Sequence, residues 1–166
     1  MNRDLLGNVI GIEELIAEDI LSSGDNTYWF EGNDATIQGF RLYTKGIGVK
    51  NYSSGYHGVP GYYTIYKKNN DPAGNDLCLY HGGTTSIGRR LSRFYKEVKN
   101  MSRYDEKHPA GTKYRKTWGK DVSDVYVKVY PCSEKDVNED VELAMIRSLR
   151  PLLNRLVTKK SIKKLK

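Results

Sequence analysis

The chain is 166 residues long, 38% hydrophobic and 28% charged, the balance of one folded domain with a buried core. No basic N-terminal region precedes a continuous apolar stretch and no apolar run is long enough to span a bilayer, so neither secretion nor membrane insertion is expected and the expected compartment is the cytoplasm. The formal charge of +7 is divided unevenly, with 4 Lys and Arg against 8 Asp and Glu in residues 1–58 and 23 against 12 in residues 59–166. The C-terminal two-thirds is therefore expected to face a polyanion, with a merely solvated basic surface as the alternative that charge alone leaves open.

In chain order, Ile10, Leu15, Ile16 and Ile20 lie on one stripe and predict an amphipathic helix over residues 8–22, ended by "SSGDN". "TYWFEG" and "ATIQGFRLYTKGIGVKNY" are rich in aromatic and β-branched residues and predict short strands. In "GYYTIYKKNNDPAGNDLCLYHGG", Tyr62, Thr64 and Tyr66 alternate with Tyr63 and Ile65, and Leu77, Leu79 and Tyr80 follow a polar connection with Gly and Pro, the pattern of a β-hairpin. Ile87, Leu91, Tyr95 and Val98 then mark one helix face, with Thr84, Thr85 or Ser86 as N-cap. "SRYDEKHPAGTKYRKTWGKD" has no apolar period and mixes cations with Tyr104, Tyr114 and Trp118, which predicts a long loop that orders on binding. "SDVYVKVYP" predicts a third core strand, with Val125, Val127 and Val129 on one side, stopped by Pro131. "SEKDVNEDVELAMIRSLRP" predicts a last helix capped by Ser133 or Asp136, with Val137, Val141, Met145 and Leu149 toward the core. Cys78 and Cys132 lack metal-site spacing and read as buried free thiols, and His57 and His108 read as surface groups of Gly/Pro-containing loops.

The order strand, strand, helix, strand, helix, with Tyr in both hairpin strands, Arg in the first core helix and Glu in the last, resembles the GIY-YIG nuclease family. Gly61-Tyr62-Tyr63 and Tyr80-His81-Gly82 stand at the two signatures, Arg90 lies eight residues beyond the second signature's glycine, and Glu142 precedes Asn154 of "PLLN" by twelve. The middle letters of both signatures differ from the family's, and Phe94 stands four residues after Arg90, where family members often carry His or Tyr. His81 is left open between packing and an approach to the site.

The resemblance covers about residues 60–155 and implies an α+β fold, a small three-stranded antiparallel sheet flanked by helices over residues 59–155. Residues 1–58 would then be an accessory helix and strands packed on that core, and residues 156–166 a basic tail. It further implies a metal-dependent endonuclease that hydrolyses DNA phosphodiester bonds to 5′-phosphate and 3′-hydroxyl ends, a nicking, restriction or homing-type enzyme of a bacterial or phage-infected cell. The second class of reading is a nucleic-acid-binding module that keeps the scaffold without cleavage.

Hydrolysis of a phosphodiester needs an activated water, a cation facing the developing charge and stabilisation of the leaving oxygen. By resemblance, Tyr63 orients or deprotonates the water and Tyr80 supports the phosphate or shares that role. Arg90 contacts the scissile phosphate through its planar fork of donors, Glu142 holds one Mg²⁺ or Mn²⁺, and Asn154 completes the set. Lys67, Arg89, Arg93, Arg103, Lys113, Arg115, Lys116 and Lys120 are the expected contacts to double-stranded DNA, with Lys68 beside Lys67 in the hairpin connection. One active site per chain implies a monomer or a DNA-induced dimer.

Overall fold

The computed structural model describes residues 11–23, 26–30, 56–71, 73–101 and 107–154. Strands β1 (Asn26–Trp29), β2 (Gly61–Lys67), β3 (Leu77–Thr84) and β4 (Val125–Pro131) form one antiparallel sheet in the order β1-β4-β2-β3. Among the described residues four α-helices accompany it: α1 (Ile12–Ser22), α2 (Ile87–Val98), α3 (Pro109–Trp118) and α4 (Glu139–Leu149). The class is α+β, as expected, but the sheet has four strands rather than three. The fourth is "NTYW", which pairs with β4 from Asn26↔Val129 to Trp29↔Tyr126. β4 uses one edge on β2, so its other backbone edge would lack partners without a strand of suitable β-propensity beside it. The N-terminal third thus contributes a strand to the core sheet. The expected strand region 35–52, Ile10 and the lysine-rich tail lie outside the described residues.

A second correction concerns the stretch 102–121, expected to be a loop: Pro109–Trp118 is helical. Pro109 occupies the first turn, where its missing N–H costs nothing, and His108 is the N-cap, its Nδ1 accepting the Ala110 N–H at 3.1 Å. The buried face of α3 is Ala110, Gly111 and Tyr114. Two of these three are small, so the helical period leaves little trace in hydrophobicity. The start of α4 also lies later than expected, because Asn138 is its cap, accepting Val141 N–H at 2.9 Å, while Ser133 and Asp136 belong to a preceding 3-10 turn.

The sheet is the middle of three layers. Against one face pack α2 and α3, enclosing Tyr63, Ile65, Leu79 and Tyr80 with Leu91, Phe94 and Tyr114. On the other, α1 and α4 enclose Tyr62 and Tyr130 with Ala17, Val141 and Met145. Strand alternation distributes the side chains: Val125, Val127 and Val129 are buried while Tyr126 and Lys128 are partly exposed. Full burial of one such apolar side chain contributes about 1.5–3 kcal/mol. Among the described residues no helix is long and apolar enough to cross a membrane.

Candidate active site

The register of the hairpin decides which groups meet. Tyr63 lies opposite Gly82, Tyr62 opposite Gly83, Thr64 opposite His81 and Ile65 opposite Tyr80. A register shift after Ile65 makes Cys78 the partner of Tyr66, so Leu79 is the extra residue of a bulge and packs into the same cluster as Tyr80. Tyr63 and Tyr80 therefore share the α2/α3 side of the sheet, their ring centres 6.0 Å apart. Arg90, in the first turn of α2, acts on both hydroxyls.

Burial dominates the electrostatics of this group. Tyr63 is 1% exposed, and its proton affinity is pushed far up by loss of water and by Tyr80, with Arg90 pulling the other way. Tyr80 is also raised by burial and by the charge of Glu142, while Arg90 first and Tyr63 last work against the shift. Burial works against the charge on Arg90, yet the two tyrosine oxygens outweigh it and hold its pKa above the ordinary arginine value. Arg90 is a permanent cation here. Among the described residues no carboxylate forms an ion pair with it.

Glu142 reaches the same strand from the opposite layer. Its Oε2 accepts the Gly83 N–H at 3.0 Å. Burial raises its pKa, while that N–H and Arg90 lower it. The two glycines make the approach from both faces possible: a Cβ on Gly82 would lie 2.9 Å from the Tyr63 hydroxyl oxygen, and one on Gly83 would lie 3.0 Å from Glu142 Oε2. Any side chain at Gly82 would cap the Tyr63 hydroxyl. Beside Glu142 opens a cavity of about 370 Å³ lined by Gly83, Thr84, Thr85, Asn138 and Glu139 among others. It lies along β3, the edge strand of the described sheet, where a long ligand has access.

Asn154 is joined to the set indirectly. Its Oδ1 accepts His81 N–H at 2.9 Å and its Nδ2 donates to His81 C=O at 2.8 Å, so both ends of the buried amide are spent on the β3 backbone. Asn154 is a positioning residue for the strand that carries Tyr80 and the two glycines. Asn154→Ala should destabilise the fold by about 1–3 kcal/mol for each buried backbone group left unpaired, read as a lower urea midpoint. An unchanged midpoint would remove that role. His81 itself is fully buried, with Nδ1 2.8 Å from Thr64 Oγ1 and Nε2 3.0 Å from Met145 Sδ, and it stacks on Tyr62. Burial pushes its pKa down to about 3, so it is neutral packing rather than a titrating group of the site.

The expected DNA contacts divide. Arg89, Lys116 and Lys120 are exposed, and Arg93 is half-buried. Lys67 is instead tied to Asp124 at 2.6 Å and lies over the rings of Tyr114 and Trp118, away from any role as a free phosphate contact. Arg115 bonds the Glu97 backbone carbonyl and approaches its carboxylate at 3.7 Å, and Lys113 donates to the Leu153 carbonyl at 2.9 Å, so both brace α3 against its neighbours. Arg103 lies outside the described residues, as does the tail.

One residue expected on the surface is in the middle of the site. His108 is buried, its Nε2 2.9 Å from the Tyr63 hydroxyl and its ring 4.9 Å from that of Tyr80. The signal available in the sequence was the dipeptide His108-Pro109, a polar residue before a proline at a helix start.

Among the described residues no cluster of three or more His, Cys, Asp or Glu side chains is assembled. Glu142, a carboxylate on the lining of the 370 Å³ cavity, is a hard oxygen donor, which fits a divalent cation that keeps most of its waters. Comparison with known proteins brings no relative: no family model, no curated protein and no solved structure matches the chain.

Proposed function

We propose that the chain is a metal-dependent DNA endonuclease of GIY-YIG type, cleaving phosphodiester bonds to 5′-phosphate and 3′-hydroxyl ends. The observation that supports this most is the meeting, at Gly82 and Gly83 of one edge strand, of the tyrosine pair from one layer, with the half-buried Arg90 acting on both hydroxyls, and a carboxylate from the other. Arg90 binds the non-bridging oxygens of the scissile phosphate, and its buried setting strengthens that attraction relative to water. Tyr80 takes the role of orienting the attacking water and, as the phenolate that Arg90 favours once its own proton has passed to solvent, of accepting the water's proton. Of the two tyrosines it is the less buried, whereas Tyr63 has its oxygen engaged by His108 at 2.9 Å. Glu142 would hold the Mg²⁺ or Mn²⁺ ion, which when bound offsets charge on the phosphate and the leaving oxygen. The net positive residues 59–166 supply the long-range attraction for duplex DNA.

Incubating supercoiled plasmid with limiting protein, with Mg²⁺ and with chelator, tests the reading. The expected result is Mg²⁺-dependent conversion to open circles first and linear molecules later, because one site per chain handles one strand at a time. Plasmid that is bound but uncut under all metal conditions would return the chain to the class of non-catalytic nucleic-acid-binding modules.

A further inference from the structure

The direction of the hydrogen bonds around Tyr63 follows from α3. The Nδ1 of His108 accepts the Ala110 N–H at 3.1 Å, so that nitrogen cannot carry a proton while the helix remains capped. Burial and the cations Arg90 and Arg93 disfavour the imidazolium form. The ring is therefore neutral with its proton on Nε2, and at 2.9 Å that N–H donates to the Tyr63 oxygen. Arg90 is also only a donor. With its oxygen accepting from His108, Tyr63 must send its own proton elsewhere, on the side of the sheet that it shares with Tyr80, whose ring centre lies 6.0 Å away.

We propose that His108, a residue of the segment before α3, is a positioning residue of the reactive face: locked as an Nε2–H donor, it fixes the Tyr63 oxygen as an acceptor and turns the Tyr63 proton toward the face shared with Tyr80, where it can donate to a bound water or phosphate oxygen. The proposal rests on the nuclease reading above. No bond is made or broken at His108, and its proton stays on Nε2 throughout. The charged and titratable groups that face this chain of hydroxyls are Arg90 and Arg93 from α2, Tyr63 and Tyr80 from the hairpin and Glu142 from α4. Phe94 fills the remaining side, its ring edge-on to His108 at 5.6 Å. A nitrogen from the α3 segment thus serves a site whose α2 offers only a hydrocarbon at that position.

Two variants separate capping from donation. His108→Asn keeps a residue well suited to the N-cap but is too short to reach Tyr63, while His108→Gln extends an N–H donor toward it. The expected result is a single-turnover rate about 10–100-fold lower for His108→Asn, comparable with the loss of other supporting groups around an active centre, and substantial recovery in His108→Gln. In parallel, nitrogen NMR of histidine-labelled wild-type protein should show Nδ1 bare and Nε2 protonated for the signal that His108→Asn removes, unchanged between about pH 5 and pH 8, where an ordinary histidine titrates. Wild-type rates in His108→Asn, or a proton on Nδ1, would overturn the inference while leaving the nuclease reading in place. A wild-type protein inert on DNA would instead defeat the nuclease reading, and this role with it, before any variant is compared.

Discussion

A Glu142→Gln variant is expected to bind duplex DNA at least as tightly as the parent and to leave it uncut, with cleavage reduced about 10³-fold or more. The amide is the same size and its oxygen still accepts the Gly83 N–H, so the contact at 3.0 Å survives and α4 keeps its place against β3. What is lost is the negative charge facing the cavity, the group proposed to hold the divalent cation, and each tenfold in rate corresponds to about 1.4 kcal/mol of transition-state stabilisation. Loss of that charge also removes repulsion toward phosphate, which is why affinity is not expected to fall.

Stability supplies a second readout. Because burial raises the pKa of Glu142 above that of the unfolded chain, the parent's stability from this group is fully present below the unfolded value and declines as pH rises through the folded one. The Glu142→Gln protein should lack that decline and be equal to or more stable than the parent at neutral pH. Mg²⁺-dependent cutting by a folded Glu142→Gln variant at more than a few per cent of the parent rate would remove Glu142 from the metal role.

The parts of this fold legible in the sequence are those whose packing leaves a periodic trace. The tyrosine alternation of β2, the Val125-Val127-Val129 alternation of β4 and the Ile87-Leu91-Val98 face of α2 each appear in the structure as expected. What escaped was structure made by small or polar groups. Helix α3 buries Ala110 and Gly111, which carry almost no hydrophobic signal, and its start is specified by a histidine side chain rather than the usual hydroxyl or carboxylate cap. β1 was visible as a strand, but its partner was not, since pairing of Tyr28 with Val127 joins residues nearly a hundred positions apart and leaves no local mark.

The same division runs through the site. The spacing of Tyr63, Tyr80, Arg90 and Glu142 suggested that they belong together, and the register and the two layers bring these groups to one edge strand. The individual tasks were not legible, because they depend on burial and on hydrogen-bond direction. Tyr63 has the more familiar position in the motif but is the more enclosed of the pair, and Asn154 spends both ends of its amide on His81. Among the basic residues, sequence cannot distinguish an exposed Lys116 from a Lys67 already paired with Asp124.

Arg90→Met should separate activity from stability. Arg90 is half-buried with no carboxylate ion pair among the described residues, and the cost of taking its charge partly out of water is offset by the tyrosine oxygens alone, so it adds little to folding. Methionine keeps the volume and flexibility of the side chain and removes both the desolvation cost and the tyrosine contacts that offset it, so the urea midpoint should change little. The single-turnover rate should fall about 10²–10³-fold, the loss typical of removing one donor that faces developing charge. Without the cation the Tyr80 hydroxyl also loses an influence that favours its ionised form, so the residual activity should need higher pH than the parent's. Arg90→Lys should recover little, because a point charge on a flexible stem cannot span a phosphate and two hydroxyls as a planar fork does. A structural arginine predicts the reverse pattern: Arg90→Met unfolding at lower urea, with a rate per folded molecule equal to the parent's and a pH profile that does not move. A half-buried cation whose loss spares the fold but stops cutting is explained by something anionic arriving to meet it, and in this chain the open edge of β3 is where a phosphate can do so.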